Sequence, residues 1–230
     1  MNDHTALIPV KPDNPFPLGR HLNHDPRNAN FMALVQPPRR APVPGGSWYS
    51  RDVYDQAHTS KCVIEASIGM LRTHPNLGQF REKVQYDTEA ERDTFYQECQ
   101  SRDPWAGTPH DGTSTEMALK LLKEKGSVTG YRWLSGADQV VEWLDWYSPC
   151  IIGINWYDGM FYPDASGFIK PTGTIAGGHC VRLVQHSITR KAVRVVNSWG
   201  SGWGQQGRAW ISEDDLKSLL AEDGEAVCIA

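Results

Sequence analysis

Apolar positions fall into three regimes along the chain. Between Ser60 and Leu71 they recur at 63, 64, 67, 68 and 71, with Ser67 counted as a small neutral position. That is the spacing of a helix with one strongly buried face. Ser60 is its candidate N-cap, which places Cys62 in the first turn. A polar helix is expected around Thr88 to Gln100. Capping-box patterns at Thr113–Glu116 and Ser135–Asp138 head two more, carrying Met117, Ala118, Leu119, Leu121 and Leu122 in the first and Val140, Val141, Leu144 and Tyr147 in the second. Gly126 and Pro149 stop them.

After Pro149 the pattern changes to strands. Cys150–Trp156 is a continuous apolar run of buried-strand length. His179 opens another (Cys180, Val181, Leu183, Val184), the polar stretch Gln185–Lys191 reads as a hairpin break, and Ala192–Val196 is the return strand. Arg208–Ile211 and Glu225–Ile229 are further strands, separated by a short helix capped by Ser212. The aromatic loop between residues 156 and 168 (Tyr157, Phe161, Tyr162, Phe168) reads as packing. Helices come mainly first and strands mainly last, so the class is α+β with two segregated parts.

Residues 1–45 form the third regime. They hold nine of the 15 prolines and none of the nine tryptophans. Proline removes a backbone donor and disfavours helix before it, so this segment is expected to be an extended arm on the body. His21, Asn23, His24 and Asp25 within it read as polar turn residues rather than metal ligands. The body is residues 46–230, dividing into a helical part to about 134 and a strand-rich part from about 135.

Composition narrows the function. A length of 230 residues and 40% hydrophobic content suit one substantial core or two lobes sharing one. A net charge of −4 gives no basic face for nucleic acid, and no apolar run is long enough to span a membrane. The first 30 residues lack the apolar centre of a secretory signal. Five cysteines without a CxxC pair support neither a zinc ribbon nor a thioredoxin motif. Free thiols in a reducing, cytoplasmic setting are the expectation, with no metal and no cofactor.

The chemistry lies in two distant places. Antiparallel neighbours bring the start of the 179–184 strand beside the end of the 192–196 strand, so His179 meets Asn197. An asparagine amide can hold one imidazole nitrogen and so fix the ring's orientation and tautomer. The matching nucleophile is Cys62, whose thiol pKa would fall at a helix start near a histidine. Lys61 either adds to that field or is a solvated neighbour. Gln56, in the loop before the helix, could donate to an oxyanion together with the Cys62 N–H. Cys180 points to the opposite side of its strand from His179 and reads as core.

Taken together, Gln56-Ala-His-Thr-Ser-Lys-Cys62, Gly178-His179-Cys180-Val181 and Asn197-Ser-Trp-Gly-Ser-Gly-Trp-Gly204 resemble the papain-like cysteine peptidases over roughly residues 46–230. The resemblance implies a helical left subdomain, a barrel-like antiparallel right subdomain and a substrate cleft between them. It implies Cys62 as nucleophile, Gln56 as oxyanion donor, His179 as general acid and base, Asn197 as its orienting partner and Trp199 as a shield over that pair. Asp111-Gly112-Thr113 resembles the strand that pairs with substrate backbone, without the usual double glycine, and Gly178 joins it as a candidate substrate contact.

Departures are visible too. Thr59 stands where the family has a structural cysteine, Val63 where it has an aromatic, and His179 lies nearer Cys62 than the family's roughly 130–150 positions. The arm lacks the pattern of a long helical pro-segment, a layout similar to compact bacterial or phage-encoded members. The expected activity is peptide-bond hydrolysis through a thioester, with a peptide or protein as the substrate. An idle papain-like scaffold used for binding, and another thiol hydrolase such as a cell-wall amidase or transglutaminase-like enzyme, stay open.

Overall fold

A computed structural model describes residues 4–33, 46–48, 50, 52–80 and 86–229. Expectations resting on Tyr49, on the prolines at 37, 38, 42 and 44, or on the loop residues 81–85 lie outside these. The arm supplies β1 (His4–Ala6) and β2 (Arg20–His24). The helical part follows with α1 (Cys62–Leu71), α2 (Asn76–Phe80), α3 (Glu89–Arg102), the short β3 (Thr113–Ser114) and α4 (Thr115–Glu124). Then come β4 (Tyr131–Leu134), α5 (Ala137–Trp146), β5 (Cys150–Tyr157), β6 (Ile175–Ser187), β7 (Ala192–Val196), β8 (Arg208–Ser212), α6 (Glu213–Ala221) and β9 (Glu225–Ile229).

The last six strands form one sheet in the order β4-β9-β5-β6-β7-β8, with every neighbouring pair antiparallel. Strand alternation splits its side chains between two cores. Ile152, Ile154 and Trp156 of β5, Leu183 of β6 and Cys228 of β9 face a cluster that includes α5 and α6 residues. Ile151, Cys180, Val227 and Ile229 face the opposite way, into a cluster built with α1 and α4. The sheet is thus covered on both sides, which is why its central strands are continuous apolar runs. Class and order agree with the α+β expectation.

Several local expectations shift. Helix α1 is buried over its whole length, Glu65 and Ser67 included, so it has no solvent face. Its N-cap is Lys61, without a side-chain cap, and Ser60 lies one residue earlier. Ser114, not Thr113, caps α4 through the Met117 amide; Glu116 is drawn instead into a buried cluster with Asn28 and Tyr131. Gly136 heads α5 with no side-chain cap, while Gln139 accepts the Ser135 amide. The β6–β7 hairpin is tighter than read, since β6 runs on to Ser187. The cap at Ser212 stands as expected, and Thr88 heads α3 with a capping box to Glu91.

The arm is tied to the body. β1 pairs antiparallel with β2, and β2 pairs parallel with β3. Lys11 and Gly19 give their amides to the carbonyls of Ala176 and Gly178 at 2.9 and 3.0 Å. The segment between β1 and β2 therefore crosses the junction between the helical part and the sheet.

Candidate active site

Helix α1 begins at Cys62, so the thiol sits at the positive end of a ten-residue helix dipole. Its orientation comes from a buried arginine. Arg182 of β6 gives one guanidinium nitrogen to the Gly69 carbonyl and to Thr73 Oγ1 (2.8 Å), and the other to the Asp52 carbonyl (2.7 Å). This clamps α1 against β6. Cys62 shares its buried cluster with Cys180 of β6, the strand residue after His179, and backbone amides of Cys180, Val63 and Gly19 act on its thiol.

His179 Nε2 is 2.8 Å from Asn197 Oδ1, and the Ser198 amide donates to that same oxygen at 2.8 Å. A backbone N–H can only donate, so the atom between them is an acceptor and Nε2 must carry the proton. Nδ1 is left as the basic nitrogen, buried with no hydrogen-bond partner among the described residues. Trp199 stacks over the imidazole with centroids 4.6 Å apart and planes at 23°, and Trp156 meets it edge-on at 4.8 Å. Water is kept from the His–Asn bond on both sides. Trp156 is absent from the residues singled out in the sequence, because a tryptophan ending an apolar strand reads as core.

Gln56 reaches the site through a bridge in which its amide donates to the Ser198 carbonyl at 2.8 Å. Ser198 Oγ donates to Gln56 Oε1 at 2.5 Å, which turns Nε2 toward Thr59 O (2.7 Å) and Pro17 O (3.3 Å). Lys61 plays neither expected part. Its side chain is fully buried and its ammonium is 3.0 Å from Glu89 and 2.5 Å from Asp93, so its charge is spent on α3.

The arm runs through the cleft. Pro17 O accepts from Trp199 Nε1 at 3.2 Å as well as from Gln56. Gly19 then passes between the two walls, its N–H on Gly178 O and its carbonyl accepting from the Thr113 amide at 2.9 Å. Contact is close enough to exclude side chains. A Cβ on Gly19 would lie 2.1 Å from Ser60 O, one on Gly112 2.2 Å from Gly19 O, and one on Gly178 2.1 Å from Arg20 O. Gln56, Gly112, Thr113, Gly178 and Trp199 thus meet residues 17–20 directly, and Trp199 in turn stacks on His179. That stretch of the arm carried no recognisable signal beyond extended backbone.

This cover sets the electrostatics. Burial pushes the Cys62 thiol up to about 12 against the opposing pull of the three amides, and burial holds His179 down to about 4 against its bond to Asn197. With the arm seated, the pair is a neutral thiol and a neutral imidazole. All five cysteines are free and buried, in line with the missing partner at Thr59.

No protein-family model matches the chain, and no curated protein sequence does. Solved structures do. Xylellain, a cysteine protease from Xylella fastidiosa, aligns with a TM-score of 0.62 at 15% identity, over 92% of this chain and 94% of its own. A proCathepsin B S9 from Trypanosoma congolense aligns at 0.57 and 12% identity, covering 94% and 83%. The digestive procathepsin L 3 of the Tenebrio molitor larval midgut aligns at 0.56 and 16% identity, covering 87% and 72%. No helix among the described residues is long and apolar enough to cross a membrane. Across most of its length, then, this chain has the fold of the papain-like cysteine peptidases.

Proposed function

We propose that the chain is a cysteine peptidase whose cleft is covered by its own arm. One observation carries the reading: Gln56, Thr113, Gly178 and Trp199 hold an extended stretch of the arm, largely through its backbone, in a fold that also has a helix-start cysteine and an asparagine-held histidine. Once the arm leaves, burial no longer favours the neutral pair, and proton transfer from Cys62 to His179 Nδ1 gives thiolate and imidazolium. The sulfur attacks a peptide carbonyl, Gln56 Nε2 and the Cys62 N–H hold the oxyanion, and His179 protonates the leaving amine. Water then hydrolyses the thioester. The acyl part of the substrate would lie along Gly112–Thr113 and the leaving part beneath Trp199.

On this reading the arm resists cleavage because it lies backwards. It runs from Trp199 toward Thr113, opposite to such a substrate, with the Gly19 N–H on Gly178 O and the Gly19 carbonyl on the Thr113 amide. The sealed, uncharged Cys62 favours one rival, an idle scaffold in which the arm is a permanent part of the structure. Alkylation by a peptidyl epoxide separates the two. The peptidase reading expects modification at Cys62, abolished by Cys62→Ser and accompanied by peptide hydrolysis; unmodified Cys62 with intact peptides supports the scaffold. Gln56→Ala should lower turnover about 100- to 1,000-fold in an active form.

A further inference from the structure

Two cysteines away from the cleft face each other across the sheet. β5 and β9 are antiparallel, in a register that sets Ile151 against Val227, Ile152 against Ala226 and Gly153 against Glu225. One step further along that register, Cys150 at the start of β5 stands opposite Cys228. Strand alternation puts both side chains on one face, and Cys150, Ile152, Ala226 and Cys228 all lie in the core shared with α5 and α6. Cys62, Cys99 and Cys180 belong to the other core, on the far side of the sheet. Residues directly opposite in an antiparallel pair hold their Cα atoms about 4.5–5.5 Å apart, within the roughly 4.4–6.8 Å that a disulfide spans. Both thiols are free and fully buried, and Cys228 donates its own to Arg132 O at 3.4 Å.

We propose that Cys150 and Cys228 form a latent disulfide site, closed when the chain folds with a low-molecular-weight disulfide of the glutathione type and left open when it folds under reducing conditions. One cysteine thiolate attacks the small disulfide and expels a small thiolate. The other cysteine, deprotonated in turn, attacks the protein sulfur of that mixed disulfide and expels the second. The protein gains one S–S bond and loses two hydrogens, and the small disulfide is reduced to two thiols. Closure turns the Cys228 side chain away from Arg132 O toward β5. Timing follows from burial, which pushes both thiols up and keeps reagents out of the finished fold. Exchange therefore belongs to the folding chain, and the folded core preserves whichever state it received. The bridge encloses β6, β7 and β8, the strands that position His179 and Asn197, in one long covalent loop. It needs no chemistry at Cys62, so it stands apart from the peptidase reading.

The test denatures the full chain in reductant and refolds it in parallel in a glutathione redox buffer and in dithiothreitol. In the glutathione sample, thiols alkylated under denaturing conditions should fall from five to three, the bridged pair being lost. Unreduced peptide mapping should join the Cys150 peptide to the Cys228 peptide. Closing so long a loop should raise the melting temperature by roughly 5–15 °C over the dithiothreitol sample. Cys150→Ala should abolish both the joined peptide and the thermal gain. Should that variant fail to fold, the peptide map of the parent chain decides alone. Five free thiols after refolding in glutathione, or a bridge through Cys62, Cys99 or Cys180 in its place, overturn the site.

Discussion

The amide of Gly19 donates to the carbonyl of Gly178 at 3.0 Å, one residue before the candidate catalytic histidine. A chain segment more than 150 positions away thus lies against the strand that carries that histidine. Gly19 fits because its missing side chain would collide with Ser60 O. Gly19→Ala should therefore weaken arm docking by about 1–3 kcal/mol, the usual cost of overpacking. That corresponds to roughly 5- to 150-fold more open protein. Iodoacetamide labelling of Cys62, followed by mass spectrometry, should accelerate by that factor. An unchanged rate would mean the arm does not gate the thiol.

Asn197 holds the proton of His179 on Nε2. Asn197→Ala should free the ring to rotate and lower kcat by up to about 100-fold with KM little changed. Far-ultraviolet circular dichroism should match the parent, since Asn197 lies beyond the end of β7 and its Nδ2 has no hydrogen-bond partner among the described residues.

Acid should loosen the arm at His21. Its Nδ1 accepts the Ile8 amide at 3.0 Å while Nε2 donates to Asp111 O at 2.6 Å, an arrangement available only to the neutral ring. Burial lowers its pKa most, and His110 and Arg20 add to that against the Asp111 carbonyl and carboxylate, which raise it. The folded pKa lies below the unfolded one, so unfolded or undocked chain binds the proton first. The stability this gives is complete above about pH 6.5 and is lost as pH falls through the lowered value. Hydrogen exchange at the Ile8 amide, corrected for intrinsic rate, should be slow above that pH and quicken below it. His21→Gln should flatten the dependence.

Arg182→Met should test the clamp between α1 and β6. Removing the guanidinium leaves the buried Gly69 carbonyl and its neighbours without their donor, at a cost on the order of 3 kcal/mol. Urea unfolding should show that loss. The Gly69→Ala chain should behave alike, because a Cβ there meets Arg182 Nη1 at 2.8 Å.

Much of the sheet was legible because strand signals are local. Ala192–Val196 and Glu225–Ile229 run as read, and the Ser212 cap holds because a hydroxyl three residues from an amide depends on nothing distant. Cap positions failed where tertiary contacts competed: Glu116 went to Asn28 and Tyr131 rather than back to its own helix start. The amphipathic reading of α1 failed for a related reason. A helix packed between the sheet and other helices has no outer face, and buried Glu65 is carried there by Arg92 at 2.7 Å.

By itself the sequence determined which residue types could do thiol chemistry and the order in which they occur. The Gln56, Cys62, His179 and Asn197 set, with the tryptophans and glycines after it, is a pattern of identities, and identities are what a sequence records. Only the tertiary structure decided what fills the crevice. The Pro17–Arg20 stretch has no periodicity, and its hydrogen bonds go to residues far along the chain, so no local rule could aim it. The same holds for Arg20 and Glu225: a lone arginine and a lone glutamate at opposite ends read as solvated charges until the fold removes the water between them.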